Sequence, residues 1–181
     1  MDGQLTLGDA GSEHVIARRD DGAEISLDPG RLDLDRIFRW LSVESYWAAG
    51  RTREVIERSV TGSMVFGVYR PARPGGPAEQ VGLARAVTDS ATFAWICDVY
   101  IDSDVRGLGL GTWLMREVAT ELMGRRRIPR MVLATRDAHG LYEKAGFADL
   151  AVPGRWMEID SRPASVVHPA QRQRADARDG T

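Results

Sequence analysis

The chain has 181 residues, 43% of them hydrophobic, and its formal net charge is -2. This length is enough for one domain with a buried core and a small-molecule cleft. The charge balance disfavours a nucleic-acid-binding protein, although arginines cluster at residues 125–127. No apolar run reaches the roughly 20 residues of a membrane span, and residues 1–10 lack a signal-peptide pattern. We therefore expect a cytoplasmic protein that binds neither nucleic acid nor membranes.

Cysteine and histidine are scarce in this chain. Cys97 is the single cysteine, so an internal disulfide is excluded, and the three histidines show no metal-ligand spacing. We expect no metal site.

The first third of the chain alternates strand and helix patterns. Residues 1–23 have little periodicity and are left as an arm or a strand, whereas residues 24–27 alternate as a strand does. After a Pro-Gly break, Asp33 or Asp35 can cap a first helix. A second helix is predicted over residues 53–60.

The middle of the chain predicts strands and then a long helix. Residues 64–69 and 80–87 are strand-like runs joined by a loop rich in proline and glycine, so they should pair antiparallel. Residues 92–101 are almost continuously apolar apart from Asp98, as in a central strand. Apolar residues at three- and four-residue steps predict a helix over residues 109–125.

The last third predicts a short strand, a helix and two closing strands. The strand covers residues 131–134 and the helix residues 138–145, and the closing strands cover residues 147–150 and 155–159. Residues 161–181 are poor in apolar side chains and are predicted to be disordered. The element order implies an α/β (α+β) fold, with a mixed, mostly antiparallel sheet flanked by helices.

The most informative segment is residues 106–111, which read Arg-Gly-Leu-Gly-Leu-Gly and directly precede the long helix. Glycines at this place leave backbone N–H groups accessible at the positive end of the helix dipole, which makes a phosphate site. A Walker loop is excluded because no lysine precedes Thr112. A dinucleotide fingerprint would need a third glycine where Thr112 stands. A plain glycine turn between strand and helix stays an alternative.

Two motifs in the expected order give a resemblance to a known family. Residues 101–111 resemble the signature of the GNAT acetyltransferase superfamily, in which Arg-x-x-Gly-x-Gly opens a helix after an apolar strand end. Residues 141–147 look like its Leu-Tyr-x-x-x-Gly-Phe segment. Small bacterial-type members are the closer match. The resemblance covers about three quarters of the chain and implies a single GNAT domain over residues 24–160, with six to seven strands and four helices.

The resemblance also implies that acetyl-CoA is the acetyl donor. The pyrophosphate would rest on the glycine segment, and the pantetheine arm would pair with the backbone of Val99 and Ile101 like an added strand. Asp137 stands where many members carry asparagine, which weakens that assignment. The expected acetyl-CoA-binding residues are Val99, Tyr100, Ile101, Arg106, Gly107, Leu108, Gly109, Leu110, Gly111, Thr112, Asp137 and Tyr142.

Two residues are candidates for catalysis. Tyr142 matches the family's tyrosine, and its phenol could protonate or stabilise the departing thiolate; the alternative is one more packed aromatic. Asp98 is the one charge in an apolar run, so we expect a base or an amine anchor. Its alternative is a structural carboxylate that caps backbone N–H groups or bridges to an arginine such as Arg136. His139 could act through water, but a surface histidine at a helix start is the simpler interpretation.

The acceptor site is expected on the linker between the first two helices. Tyr46 and Trp47 could stack on an amine, and Arg51 could hold a carboxylate, unless the aromatic pair only packs. Asp98 and Arg155 complete the predicted acceptor residues.

These residues predict an acetyl-CoA-dependent N-acetyltransferase that acts as a monomer or homodimer. The acetyl group would pass to a primary amine of a small molecule or peptide by direct attack. The alternative is a non-catalytic acyl-CoA-binding or regulatory module.

Overall fold

Three long antiparallel strands form the centre of the sheet, and shorter strands lie at its edges. In the computed structural model, which describes residues 14–73 and 75–161, the strand order is β1-β2-β3-β4-β5-β6. The strands are β1 (Val15–Arg18), β2 (Glu24–Ser26), β3 (Met64–Pro71), β4 (Ala78–Thr88), β5 (Ala94–Ile101) and β6 (Met131–Leu133). Neighbouring strands from β1 to β5 are antiparallel, whereas β6 runs parallel to β5.

The parallel connection between β5 and β6 needs a crossover, and a helix supplies it. This helix, α3 (Leu110–Ala119), continues as a π-helical segment over Thr120–Arg125. The other helices are α1 (Leu34–Phe38), which continues as a π-helical segment over Arg39–Glu44, then α2 (Arg53–Thr61) and α4 (His139–Glu143). The mixed six-strand sheet with four helices confirms the predicted fold class.

Side-chain caps fix the starts of the first two helices. The Asp33 carboxylate accepts from the Arg36 amide at 2.9 Å, and the Thr52 hydroxyl accepts from the Val55 amide at 3.4 Å. Asp33 is one of the two residues predicted to cap the first helix. Such a cap stabilises a helix by about 1 kcal/mol because it satisfies an amide that has no helical partner.

Each face of the sheet is covered by its own apolar cluster. One cluster joins β-strand residues such as Phe66 and Ile96 to Leu114 of α3. The other joins Ile37 and Trp40 to the opposite set of strand residues. Burial of each such large side chain contributes about 1.5–3 kcal/mol, so both helical layers are held firmly on the sheet.

The unassigned N-terminal residues contribute to the sheet. Residues of β1 pair with β2, with Arg18 opposite Glu24. Our predicted acetyltransferase domain began only at residue 24. Residues 1–13 and most of the predicted tail lie outside the described residues.

The two predicted closing strands are wrong. The chain separates into two compact units, one ending at Ala148 and the other beginning at Asp149. Within the described part of the second unit, residues 149–161, the regular element is a 3₁₀ turn over Pro153–Arg155. Within this turn the amide of Arg155 donates to the Val152 carbonyl and the amide of Trp156 to the Pro153 carbonyl, and Pro153 itself has no amide to donate to a strand ladder.

Within the described residues, no helix is long and apolar enough to cross a membrane.

Candidate active site

The central strand β5 separates from its parallel neighbour along half of its length. The pairing of β6 stops at Ile96, which lies opposite Leu133. On its other side β5 carries one extra residue, because Cys97 lies opposite Arg85 while Tyr100 lies opposite Leu83. This bulge contains Asp98, whose φ of +49° is left-handed. A bulge bends and twists a strand, so the remainder of β5, including Val99 and Ile101, presents an edge beyond the end of β6.

The glycine segment lies at the start of α3. Gly107 and Gly109 have φ values of +82° and +75°, a conformation that glycine adopts without strain. The amide of Trp113 bonds the Gly109 carbonyl at 3.1 Å, which begins the helical pattern. The amides of Leu110, Gly111 and Thr112 therefore precede the first helical bond and can face an anion.

Gly111 has a separate, steric role. A Cβ atom at this position would lie 3.0 Å from the Leu141 side chain of α4. Glycine therefore lets α3 and α4 approach each other closely.

The β5 edge and the glycine segment share one cleft of about 660 Å³. Eleven of its lining residues are predicted acetyl-CoA contacts: Val99, Tyr100, Ile101, Arg106, Gly107, Gly109, Leu110, Gly111, Thr112, Asp137 and Tyr142. Leu108, the remaining predicted contact, is absent from this lining, and its carbonyl accepts from Arg19 Nη1 at 3.1 Å.

Arg106 bonds a backbone carbonyl that we expect the pantetheine arm to pair with. Its Nε donates to the Ile101 carbonyl at 2.9 Å, and its guanidinium lies 5.2 Å from the centre of the Tyr100 ring. A ligand amide could bond this carbonyl only if Arg106 shared it or moved.

Tyr142 lines the cleft and packs edge-on against Phe147, with 5.9 Å between ring centres. Burial, followed by the nearby Tyr46 and Asp137, raises the pKa of Tyr142 to about 12. The phenol is therefore protonated at neutral pH. It is a weaker acid than a thiol of pKa about 8.5, which favours hydrogen-bond donation to a thiolate over complete proton transfer.

Asp98 lies outside the cleft lining and forms a buried ion-pair cluster. Its side chain is 1% exposed, and Oδ2 accepts from Arg85 Nε at 2.9 Å. Arg51 Nη1 bonds both carboxylate oxygens, at 3.1 and 3.2 Å. This geometry corresponds to the bridging alternative, but with Arg51 and Arg85 as partners; the suggested Arg136 instead pairs with Asp137 at 3.2 Å.

The predicted acceptor residues separate into three groups. Tyr46 and Trp47 line the cleft and contact each other edge-on, at 5.0 Å between ring centres. Arg51 is outside the lining and bonds Asp98, so the guanidinium expected to hold a substrate carboxylate already holds a protein carboxylate. Arg155 belongs to the second compact unit, and its role stays a prediction.

Tyr46 connects the linker to the segment before α4. Its hydroxyl donates to Asp137 Oδ1 at 3.3 Å, and the Arg136 guanidinium lies 3.6 Å from the ring centre. Burial, followed by the charge of Asp137, raises the pKa of Tyr46. These contacts fix the position of the Tyr46 ring in the lining of the cleft.

Sequence reasoning missed one charged residue of the cleft. Glu44, at the end of the first helical segment, lines the cleft and accepts a hydrogen bond from the Tyr100 hydroxyl. Its carboxylate also pairs with Arg39 Nε at 3.1 Å. The available signal was its position directly before the Ser-Tyr-Trp segment, but a glutamate on a helix is usually solvated surface.

His139 and Cys97 lie outside the cleft lining. His139 is exposed at the start of α4, as the simpler interpretation expects. Cys97 is half-buried, and burial raises the pKa of its thiol to about 11, which keeps it unreactive at neutral pH. Across residues 14–73 and 75–161, no three histidine, cysteine or acidic side chains cluster closely enough to hold a metal ion.

A mixed sheet in which β5 and β6 separate, beside a helix that a glycine segment precedes, is typical of acyltransferases of the GNAT class. A family model described as an acetyltransferase (GNAT) domain matches residues 66–149. A protein of Gibberella zeae, provisionally named an acetyltransferase, is 33% identical over 133 residues, which are 66% of this chain and 75% of that protein. The chain belongs to the GNAT acetyltransferase family.

Solved structures agree with this assignment. A crystal structure of a provisionally assigned GNAT-family acetyltransferase from Xanthomonas campestris is 34% identical, with a TM-score of 0.66, over 76% of this chain and 92% of that one. A provisionally assigned acetyltransferase of Clostridium acetobutylicum, solved with acetyl-CoA, shares the fold at 15% identity, with a TM-score of 0.57, over 77% of this chain and 95% of that one.

Proposed function

We propose that this protein transfers the acetyl group of acetyl-CoA to a primary amine of a small molecule or peptide. The observation that carries the proposal is that one cleft joins the amides at the start of α3, the free edge of β5 and the Tyr142 hydroxyl. Family membership supports acetyl transfer in general, and the lining of the cleft supports the proposed donor site.

The donor end of the cleft suits a pyrophosphate. The amides of Leu110, Gly111 and Thr112 provide hydrogen-bond donors at the positive end of the helix dipole, and Arg106 adds a full positive charge. The residues present therefore fit the charged part of coenzyme A.

The β5 edge suits the amide-containing pantetheine arm. An extended chain of amides can pair with a strand edge, and Val99 and Ile101 lie on the exposed half of β5. Because Arg106 already bonds the Ile101 carbonyl, binding requires that Arg106 share this acceptor or turn towards the phosphates.

Transfer by direct attack requires few groups from the protein. The neutral amine forms a bond to the thioester carbonyl carbon, the carbon–sulfur bond breaks, and the electron pair leaves on sulfur. The amine nitrogen passes its proton to water, and Tyr142 donates a hydrogen bond to the departing thiolate, which then takes a proton from water. Because the pKa of Tyr142 is raised to about 12, this donor stays protonated throughout the reaction.

Asp98 fits a structural role better than the role of base. Its carboxylate is shared by two guanidinium groups and is shielded from the cleft, so an amine in the cleft would not meet it. We propose that Asp98 fixes the bulge that gives β5 its free edge, and so positions Val99 and Ile101 for the donor.

The test is to mix the protein with acetyl-CoA and a panel of amines while following thiol release. Amine-dependent release of one thiol per acetylated amine is the expected result. Thermal stabilisation by coenzyme A without turnover of any amine would favour the non-catalytic module instead. The cytoplasmic location and the monomeric or homodimeric state remain predictions.

A further inference from the structure

Glu44 is held in the cleft by groups from two different elements. Tyr100, on the exposed half of β5, donates its hydroxyl to the Glu44 carboxylate, and Arg39, one helical turn earlier, pairs with it at 3.1 Å. The Glu44 side chain is still 33% exposed, so a face of the carboxylate remains open to the cleft. It is a fixed negative charge beside the strand edge that we assign to acetyl-CoA.

The charges around this carboxylate leave it free to bind a cation. Arg39 also lies 3.8 Å from Asp102, so one guanidinium is shared between two carboxylates. The net charge of this group of three is therefore -1. A carboxylate held in this way attracts an ammonium more strongly than one in bulk water, because its surroundings are partly dehydrated.

The cationic side chains near Glu44 already have partners. Among the described residues that line the cleft, Arg106 is the one guanidinium, and its Nε bonds the Ile101 carbonyl at 2.9 Å. Arg51 is outside the cleft lining, and its Nη1 bonds Asp98 at 3.1 Å. A carboxylate on the acceptor would therefore meet the carboxylates of Glu44 and Asp137, whose neighbouring guanidinium groups, on Arg39 and Arg136, already pair with them; this is unfavourable.

We infer that Glu44 binds the amino group of the acceptor, and that the acceptor is a cationic amine with no carboxylate next to that amino group. The aromatic wall of Tyr46 and Trp47 would contact its apolar part. This inference rests on the proposed acetyltransferase function and adds to it the class of acceptor.

Pairs of amines that differ by one carboxylate test the acceptor class. Suitable pairs are phenethylamine with phenylalanine, and tyramine with tyrosine. We expect kcat/KM to be at least about tenfold higher for the amine without the carboxylate in each pair that is turned over. Preference for the amino acid in these pairs would overturn the inference.

Substitution of Glu44 tests the anchor itself. Glu44→Gln keeps the size of the side chain and should raise the KM of the amine about tenfold or more, while the Kd of acetyl-CoA stays within about twofold. Glu44→Asp, which keeps the charge, should recover part of this loss. Glu57→Gln is the matched control, because Glu57 lies on α2, pairs with Arg53 at 2.7 Å and does not line the cleft.

Tyr100 should act through Glu44 as a positioning residue. Tyr100→Phe removes the hydroxyl bond, so it should raise the amine KM in the wild-type background but add little to Glu44→Gln. A merely structural role for Glu44 would instead lower the melting temperature and leave the amine KM unchanged, and that result would overturn the inference.

Direct binding separates this inference from the proposed function. Calorimetric titration of each amine into the protein with coenzyme A measures the anchor without turnover. If acetyl-CoA binds but no amine of the panel binds or reacts, the acceptor inference is overturned and the donor site stands. If acetyl-CoA itself does not bind, the proposed function fails.

Discussion

Asp98 and Arg85 face each other across the bulge between β5 and β4, with 2.9 Å between Asp98 Oδ2 and Arg85 Nε. Arg85 also donates to the Ser63 hydroxyl at 2.7 Å, so the pair is tied to the segment that follows α2. The left-handed φ of Asp98 makes this a costly backbone position for a residue other than glycine. We propose that the ion pairs offset that cost and hold β5 in the shape that exposes its edge.

Replacement of Asp98 by asparagine should destabilise the fold strongly. The change leaves Arg85, whose side chain is 11% exposed, without its negative partner, and breaking a buried pair in this way costs about 3–5 kcal/mol. Urea unfolding measures the difference. Asp35→Asn is the control, because Asp35 is paired with Arg53 but is 83% exposed and should change stability by less than about 1 kcal/mol.

The Asp98→Asn variant also distinguishes a structural role of Asp98 from a catalytic one. If Asp98→Asn has wild-type stability and wild-type acetyl-CoA affinity but has lost turnover, then Asp98 is the base that the sequence suggested and the structural assignment is incorrect.

Tyr142→Phe should lower kcat by about 10- to 100-fold and leave the Kd of acetyl-CoA nearly unchanged. The phenol is needed only when negative charge develops on sulfur. Because the pKa of Tyr142 is raised to about 12, the ratio of wild-type to variant rates should stay constant from about pH 7 to pH 10.

The control for this hydroxyl is Tyr69→Phe. Tyr69 is a buried tyrosine whose hydroxyl finds no hydrogen-bond partner, and it is not part of the cleft lining. Its loss should leave turnover unchanged. Equal rates for Tyr142→Phe and wild type would mean that Tyr142 only packs against Phe147.

Gly109→Glu should abolish acetyl-CoA binding. A carboxylate would enter the place proposed for the pyrophosphate, and a side chain at a φ of +75° is strained in addition. Gly75→Glu separates these two effects, because Gly75 has a φ of +73°, open space around it and no contact with the cleft lining. Calorimetry should show acetyl-CoA binding to Gly75→Glu and none to Gly109→Glu; equal affinity would remove the phosphate site from the glycine segment.

The sequence placed more of the proposed donor residues than of the proposed acceptor residues in the cleft lining. Amides at a helix start and a tyrosine after it are fixed by local motifs, so Gly109, Thr112 and Tyr142 could be placed on one cleft in advance. Arg51 and Asp98 could not, because their pairing joins residues 47 positions apart. Glu44 was missed for the same reason, since its partner Tyr100 is 56 positions away.

The closing strands show a different limit. Residues 155–159 read Arg-Trp-Met-Glu-Ile after a Pro-Gly turn, which is typical of a strand, but this pattern does not supply a neighbour for the backbone groups. In the described residues of the second unit, the amides of Arg155 and Trp156 bond carbonyls around the Pro153–Arg155 turn.

Cys97 should react slowly with iodoacetamide in the folded protein, and the rate should rise with pH. The thiolate is the reactive form, and burial raises the pKa of this thiol from its ordinary value of 9.0 to about 11. At pH 8 the thiolate fraction is then roughly a hundredfold smaller in the folded chain than in the unfolded one. Because the folded state favours the protonated thiol, Cys97 makes its full contribution to the free energy of unfolding below about pH 9. This contribution is lost as the pH rises towards 11. Mass spectrometry of alkylated protein, with a urea-unfolded sample as control, measures both rates, and equal rates at pH 8 would show that burial does not protect this thiol.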